Sequence, residues 1–333
     1  LSTRVVGVIA SFIKKLSGFG NSDMNALVTL FGGGGFIGRY VAQELLSAGA
    51  RVRLAERDPR HAWFIKSLGG LGQTQFAAAD VTKPDSVARA VAGSDVVINL
   101  VGILNGDFDA VHVAGARNVA EAARDAGVGA LVHVSAIGAD AAAESAYGRS
   151  KGEGEAAVRA AFADATIIRP SVVFGPEDQF VNRFAALARM PVLPVIRGSV
   201  RLQPVFVADV ARAIAAAALD PARYARRTFE LGGPEMLSMA DLNAWIARAT
   251  GRTPAIVQIP DGAARLMARL GGWAPGAPIT WDQWLMLQKD NVVASGAEGF
   301  AAFGIDPRPL EAVAPGWLVQ YRRHGRFARP SAA

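Results

Sequence analysis

Residues 27–40 read LVTLFGGGGFIGRY: an apolar run, four consecutive glycines, then the opening of an amphipathic helix. A flexible glycine linker sits between polar flanks. Here ALVTLF ends directly against Gly32, and helical periodicity begins at about Phe36. Strand, tight glycine turn and helix together aim backbone N–H groups and the positive end of a helix at one spot, where a pyrophosphate is held. The run meets two spacings at once. Gly33, Gly35 and Gly38 make GxGxxG, while Gly32, Gly35 and Gly38 make GxxGxxG. Either spacing, in this setting, predicts a dinucleotide-binding loop whose helix side carries Phe36, Ile37 and Arg39.

The chain beyond it keeps the same alternation. RVRLA is followed by PRHAWFIKSLG, DVVINLVG by DAVHVAGARNVAEAARDAGV, and ALVHVS by SAYGRSKGEGEAAVRAAF, before ATIIRPS. Apolar runs separated by amphipathic helices predict βαβ units and a parallel sheet covered on both faces. Right-handed crossovers then give an α/β, Rossmann-type doubly wound sheet. After Pro170 the alternation loosens into proline-rich turns and short helices. The expected organisation is a leader over 1–23, a dinucleotide-binding core over 24–170, and a smaller α/β C-terminal region over 171–333 with an extended tail. The leader is basic and apolar and precedes Met24. It reads as a mis-assigned start, a membrane-surface segment or a targeting leader.

Composition narrows the chemistry. Among 333 residues there is no cysteine, which excludes disulfides, thiol catalysis and cysteine-ligated metal. Four histidines without short spacing give no metal-ligand pattern, so no metal is expected. The net charge of +6 is spread as single arginines without a basic block, which argues against nucleic acid. It suits an acidic partner, an anionic membrane surface or a phosphorylated ligand. No apolar run reaches the roughly 18 residues of a spanning helix.

The second strand end bears on the choice of coenzyme. An acid about 20 residues beyond the loop binds a ribose 2′-OH, whereas arginine accommodates a 2′-phosphate. RLAERD offers both, as Glu56 and Arg57, and Arg39 is a second candidate for the phosphate. Glu56 beside that phosphate is repulsive unless it turns away or pairs with Arg39 or Arg57. NADP(H) is favoured and NAD(H) is the alternative. Asp80 and Val81 end the third strand, where the adenine is walled. In AYGRSK, Tyr147 and Lys151 are four apart on one helix face. A phenol beside an ammonium group is expected to have a lowered pKa, which suits proton donation to a carbonyl.

FGGGGFIGRY, AADVTKPDSV, INLVG, VHVSAIGA, YGRSK, IIRPSVVFGPED and QPVFVADVARAI, in that order, resemble the extended, atypical short-chain dehydrogenase/reductases. GRYVAQELLSAG, VINLVGIL, SVVFGPEDQFVNRFAALAR and the tail YRRHGRF narrow the resemblance to the NADPH-binding accessory subunits of respiratory complex I, of alphaproteobacterial and mitochondrial type. The resemblance implies dinucleotide contacts from Leu100, Val101, Gly102, Ser135, Tyr147, Lys151, Pro170, Val172 and Val173. It also implies a nucleotide that is bound rather than turned over, and docking among membrane-complex subunits near the quinone site. The location implied is peripheral, on the cytoplasmic face of a bacterial inner membrane or the matrix side of a mitochondrial one. Ala136 and Ile137 stand where the family's catalytic hydroxyl usually lies, so Ser135, Tyr147 and Lys151 do not form a complete proton-transfer set.

The alternative is a free reductase, epimerase or dehydratase acting on a sugar nucleotide or similar carbonyl substrate. In the C-terminal region, Leu266, Met267 and Leu270 share a face beside Arg265 and Arg269, with Trp273, Trp281 and Trp284 following. In an ordinary enzyme such a face would be a lid over a substrate pocket; the other expectations are that it packs into a core or meets a membrane or large partner. The acid-free tail VQYRRHGRFARP is expected to lie across another subunit.

Overall fold

The computed structural model describes residues 26–272, 277, 279–323 and 325. The leader with Met24, Trp273 and most of the basic tail lie outside the described residues.

Seven parallel strands form the central sheet: β1 (Leu27–Phe31), β2 (Arg51–Glu56), β3 (Thr74–Ala78), β4 (Val96–Asn99), β5 (Ala130–Val134), β6 (Thr166–Pro170) and β7 (Thr228–Leu231). Their spatial order is β3-β2-β1-β4-β5-β6-β7. The chain runs outward from β1 to β3, then returns to the other side of β1 at β4. That reversal opens a crevice at the carboxyl ends of β1 and β4. β1 is buried at all five residues, as a strand covered on both faces must be.

Helix α1 (Phe36–Ser47) buries Gly38, Val41, Ala42, Leu45 and Leu46, the spacing of a single helix face. Truncating a fully buried leucine such as Leu45 to alanine costs about 2–5 kcal/mol. The opposite layer is built from α2 (Pro84–Val91), α3 (Ala116–Asp125) and α4 (Ala146–Ala161). A π-helical turn at Asp109–Gly115 leads into α3. Gly154 lets it approach, since a Cβ there would lie 2.1 Å from the His112 carbonyl oxygen.

The sheet draws on both sides of residue 170. β7 pairs with β6, and α5 (Val207–Leu219) packs Val210, Ala211, Ile214 and Ala218 into the same core as α1. Short strand pairs, such as Val192–Ile196 with Ala255–Ile259, support α6 (Asp261–Gly271) and α7 (Trp281–Met286). The segment before the tail folds back, with Leu310, Ala314 and Leu318 buried against Phe174 and Phe206. Among the described residues no helix is long and apolar enough to cross a membrane.

Candidate functional site

Each glycine in the first loop has a distinct role. Gly32 has φ +78, the left-handed region, and a Cβ there would press on Leu100 and Val101 where β4 ends. A Cβ on Gly38 would lie 2.3 Å from the Gly32 carbonyl oxygen and 2.6 Å from Gly33 Cα, so only glycine lets α1 start this close to β1. Gly35 is the N-cap of α1, and a Cβ on it would meet nothing but the Gly32 oxygen, at 3.2 Å. Gly33 is a packing position instead, 2.4 Å from Leu54 Cδ2 by the same measure. Gly32, Gly35 and Gly38 therefore shape the turn. No side chain caps α1 and no acid lies in its first turn, leaving the N–H groups of Phe36 and Ile37 for an anion.

Beside this loop, Glu56, Arg57, Asp58 and His61 line a cleft of about 330 Å³. Glu56 Oε1 accepts from the Gly34 N–H at 2.5 Å. Burial pushes its carboxyl above the ordinary range, and the Gly34 bond and the charges of His61 and Arg57 partly offset the rise. Arg39 does not pair with Glu56. Its guanidinium lies 3.4 Å from Glu177 and 4.9 Å over the Phe64 ring, and its Nε is buried without a partner. Arg57 is exposed at the cleft. Asp80 caps its own turn, accepting from the Thr82 N–H and hydroxyl, and these bonds lower its pKa. The Val81 carbonyl accepts from Asn118 Nδ2.

The other end of the crevice is formed by α4. Ser145 caps it, accepting from the Gly148 N–H. Lys151 is buried, and its Nζ donates to the Val134 carbonyl at 2.9 Å, leaving two of its three donors. Burial lowers its pKa to about 8. Tyr147 meets the edges and faces of Phe108 and His112, with ring centroids 6.0 and 5.5 Å away. The expectation of a lowered phenol pKa is corrected here. Burial pushes Tyr147 up to about 12, and desolvation outweighs any help from Lys151.

The His112 ring is fixed by its bonds. Nε2 accepts from the Ile103 N–H, and Ser150 Oγ, which donates to the Tyr147 carbonyl, accepts from Nδ1. Burial first, then the Lys151 charge, lowers His112 to about 3, so the ring is neutral. Ser135 Oγ, at the end of β5, is buried and without a partner.

The exit of β4 joins the two ends of the crevice. Leu100 and Val101 adjoin Gly32, and a Cβ on Gly102 would lie 3.9 Å from Lys151 Nζ. The segment after β6 reaches back to the loop, where Gly175 packs against the Phe36 ring. Val173 pairs with Val205, and the Val172 N–H donates to Asn291 Oδ1. The anticipated residues thus share the carboxyl edge of the sheet. Two buried polar atoms without partners, Ser135 Oγ and Arg39 Nε, together with the open space over Gly35, fit a dinucleotide laid along that edge.

Sequence reasoning missed Glu177, Phe108, His112, His61, Asp282 and Asn291. The carboxylate of Asp282 accepts from the N–H groups of Ala146 and Tyr147 at the start of α4. Glu177, Asp282 and Asn291 carry no local signal, because their partners are far away in the chain. The apolar face of α6 is also settled: Ala264 and Ala268 pack inward, whereas Leu266, Met267 and Leu270 are 59%, 42% and 67% exposed. It is not a core face.

Residues 27–232 match the sequence profile of the NAD dependent epimerase/dehydratase family. The chain is 36% identical over 301 residues to mitochondrial NADH dehydrogenase (ubiquinone) 1 alpha subcomplex subunit 9 of Rattus norvegicus, covering 88% of this chain and 80% of that protein. It is 32% identical over 253 residues to the ceramide reductase of Caulobacter vibrioides, covering 72% and 75%. The NADPH-dependent quinone oxidoreductase of Escherichia coli, solved with NADPH, superposes with TM-score 0.70 at 19% identity over 86% of this chain and 98% of that one. That last likeness is one of fold.

Proposed function

The chain belongs to the NAD dependent epimerase/dehydratase family, and from that membership we propose that it is a dinucleotide-binding accessory subunit of a respiratory NADH:quinone oxidoreductase that does not turn its nucleotide over. One observation carries this reading. The 301-residue likeness to the rat complex subunit runs past residue 232, where the family match ends, into the region bearing the exposed face of α6. An apolar face of this kind turned to water suits a subunit that docks in a larger assembly.

The site's electrostatics support the same reading. A phenol raised to about 12, with Ala136 and Ile137 where a hydroxyl is expected, is a weak proton donor near neutrality. Tyr147 and Lys151 then serve as ligands of the nicotinamide ribose. When bound, the nucleotide would supply hydride chemistry; the chain's residues supply a cradle. The glycine loop holds the pyrophosphate, and the Glu56–His61 cleft holds the adenosine ribose. We take NADP(H) as the ligand: Arg39 Nε lacks a partner, Arg57 is exposed, and the Gly34 N–H holds the Glu56 carboxylate against the loop.

The protein is then peripheral, on the cytoplasmic face of a bacterial inner membrane or the matrix side of a mitochondrial one. Its partners are complex subunits near the quinone site. Arg265 and Arg269, flanking the apolar face, suit anionic lipid at that boundary.

The test is native electrophoresis of membranes, with nucleotide extraction and NADH:quinone assay, on wild type, Tyr147→Phe and Leu266→Asp. Tyr147→Phe should stay in the large complex with full turnover. Leu266→Asp should be released, lowering turnover while keeping its nucleotide. A free wild-type protein that oxidises NADPH with a carbonyl substrate, and loses about 10²–10⁴-fold of that rate in Tyr147→Phe, would overturn the assignment.

A further inference from the structure

Helix α4 begins with three N–H groups that its own backbone cannot satisfy, and side chains take all three. Ser145 Oγ accepts from Gly148. The other two go to one carboxylate from far along the chain: Asp282 Oδ1 accepts from Ala146 at 2.5 Å and Oδ2 from Tyr147 at 3.1 Å. Asp282 is itself rigidly placed. It lies in the first turn of α7, whose start is locked by reciprocal bonds between Thr280 and Gln283. Trp281 and Trp284 of the same helix stack at 5.0 Å, under Arg269 and Arg265 of α6. Nine residues on, Asn291 holds both neighbouring strand exits. Its Oδ1 accepts from Ser171 Oγ and the Val172 N–H, and its Nδ2 donates to the Ile137 carbonyl.

We propose that Asp282 is a positioning residue for the dinucleotide site: from the C-terminal segment, it sets the start of α4 and so the placement of Tyr147 and Lys151 against the nicotinamide ribose. Tyr147 is held directly, by its own N–H. Lys151 follows one turn later on the same rigid helix, with its Nζ on the Val134 carbonyl. The segment 280–291 is a strap between the exposed face of α6 and the nucleotide end of the crevice. The inference rests on α4 being the nicotinamide-ribose side of the site.

The experiment compares the whole dinucleotide with its adenosine half. Wild type, Asp282→Ala, Asp282→Asn and Asp282→Glu are titrated with NADPH and NADH, and with adenosine 2′,5′-bisphosphate and AMP. The halves reach only the Glu56–His61 end and the glycine loop. Asp282→Ala should weaken the dinucleotides by about tenfold, the scale of one lost helix cap, and leave the halves within about twofold. Asp282→Asn, which keeps one acceptor oxygen, should fall between wild type and Asp282→Ala, and Asp282→Glu should recover part of the loss. Equal losses for whole and half ligands would make the effect general destabilisation and overturn the role. So would unchanged dinucleotide affinity in Asp282→Ala. A wild-type protein that binds neither dinucleotide would overturn the site itself, and this role with it.

Discussion

Alanine at Gly35 and at Gly38, introduced separately, should divide fold from ligand. At Gly38 the new methyl would stand 2.3 Å from the Gly32 oxygen and 2.6 Å from Gly33 Cα and its oxygen. These are backbone atoms at a turn, with no rotamer to yield, so the clash falls in or above the roughly 1–3 kcal/mol of core overpacking. In a chain of this size that lowers the melting temperature by about 2–5 °C. At Gly35 the backbone is extended, φ −74 and ψ −178, and the methyl meets only one oxygen at 3.2 Å. Alanine restricts the unfolded chain, worth about 0.4–1 kcal/mol. It is a poorer N-cap than glycine by a similar amount, about 0.5–1 kcal/mol. The two effects cancel, so the ligand-free protein should melt within about 2 °C of wild type. Ligand is another matter, because that methyl occupies the pyrophosphate path. Nucleotide at about 100 times its Kd stabilises the wild type by about 2.7 kcal/mol. Thermal melts with and without NADPH or NADH should show that gain in wild type and none in Gly35→Ala. A Gly35→Ala protein that keeps the gain would refute the loop's assignment, and a Gly38→Ala protein as stable as wild type would refute the packing argument.

Arg39→Ala and Arg57→Ala should each weaken NADP(H) by about 1.5–3 kcal/mol, the scale of a charge-assisted hydrogen bond, and barely touch NAD(H) in calorimetric titration. Glu56→Gln keeps an acceptor for the Gly34 N–H and should improve NADP(H); a loss of NAD(H) affinity with no gain in NADP(H) would reverse the coenzyme preference. Lys151 is held at about 8 against an ordinary 10.5, so between those values the unfolded chain binds the extra proton and stability rises with pH. Below about 8 the penalty is present in full. Denaturant melts from about pH 7 to about pH 10 should show this rise in wild type and not in Lys151→Met, while dinucleotide affinity falls as the ammonium is lost.

Much of this was legible locally. The β1–glycine–α1 unit could be read because strand, turn and helix signals lie within fifteen residues, and the packing that needs Gly38 is internal to that unit. The pairing of Tyr147 and Lys151 on one face followed from helix geometry alone. Their ionisation did not. A lowered phenol pKa was the reasonable inference from a neighbouring ammonium, but the sequence does not show that Phe108 and His112, from another turn of chain, pack against the ring. Arg39 choosing Glu177 over Glu56 is a tertiary outcome of the same kind. The face of α6 was visible as a stripe, yet its fate turned on two alanines. Ala264 and Ala268 let that helix lie close to Trp284, and the larger residues are left outward. Asp282 and Asn291 gave no signal, since a cap supplied 135 residues away has no local spacing.

On the proposed function a Tyr–Lys pair is kept without turnover, and these contacts give that a physical account. A proton donor works best with a pKa near the working pH, and that requires water or positive charge at the phenol. Here two aromatic rings close on Tyr147, and the Lys151 ammonium is turned to the Val134 carbonyl. Tyr147 is then poor at moving a proton, and the pair is good at holding hydroxyls, because a phenol that stays protonated and an ammonium with free donors are both hydrogen-bond partners. Burial that would cripple an enzyme stabilises a resident ligand. It removes competing water from the ribose and ties the ligand's retention to the packing of α4. Since Asp282 sets that packing from the segment beside α6, the nucleotide and the exposed face bear on one helix start, and nucleotide content becomes a report on how the C-terminal segment is placed.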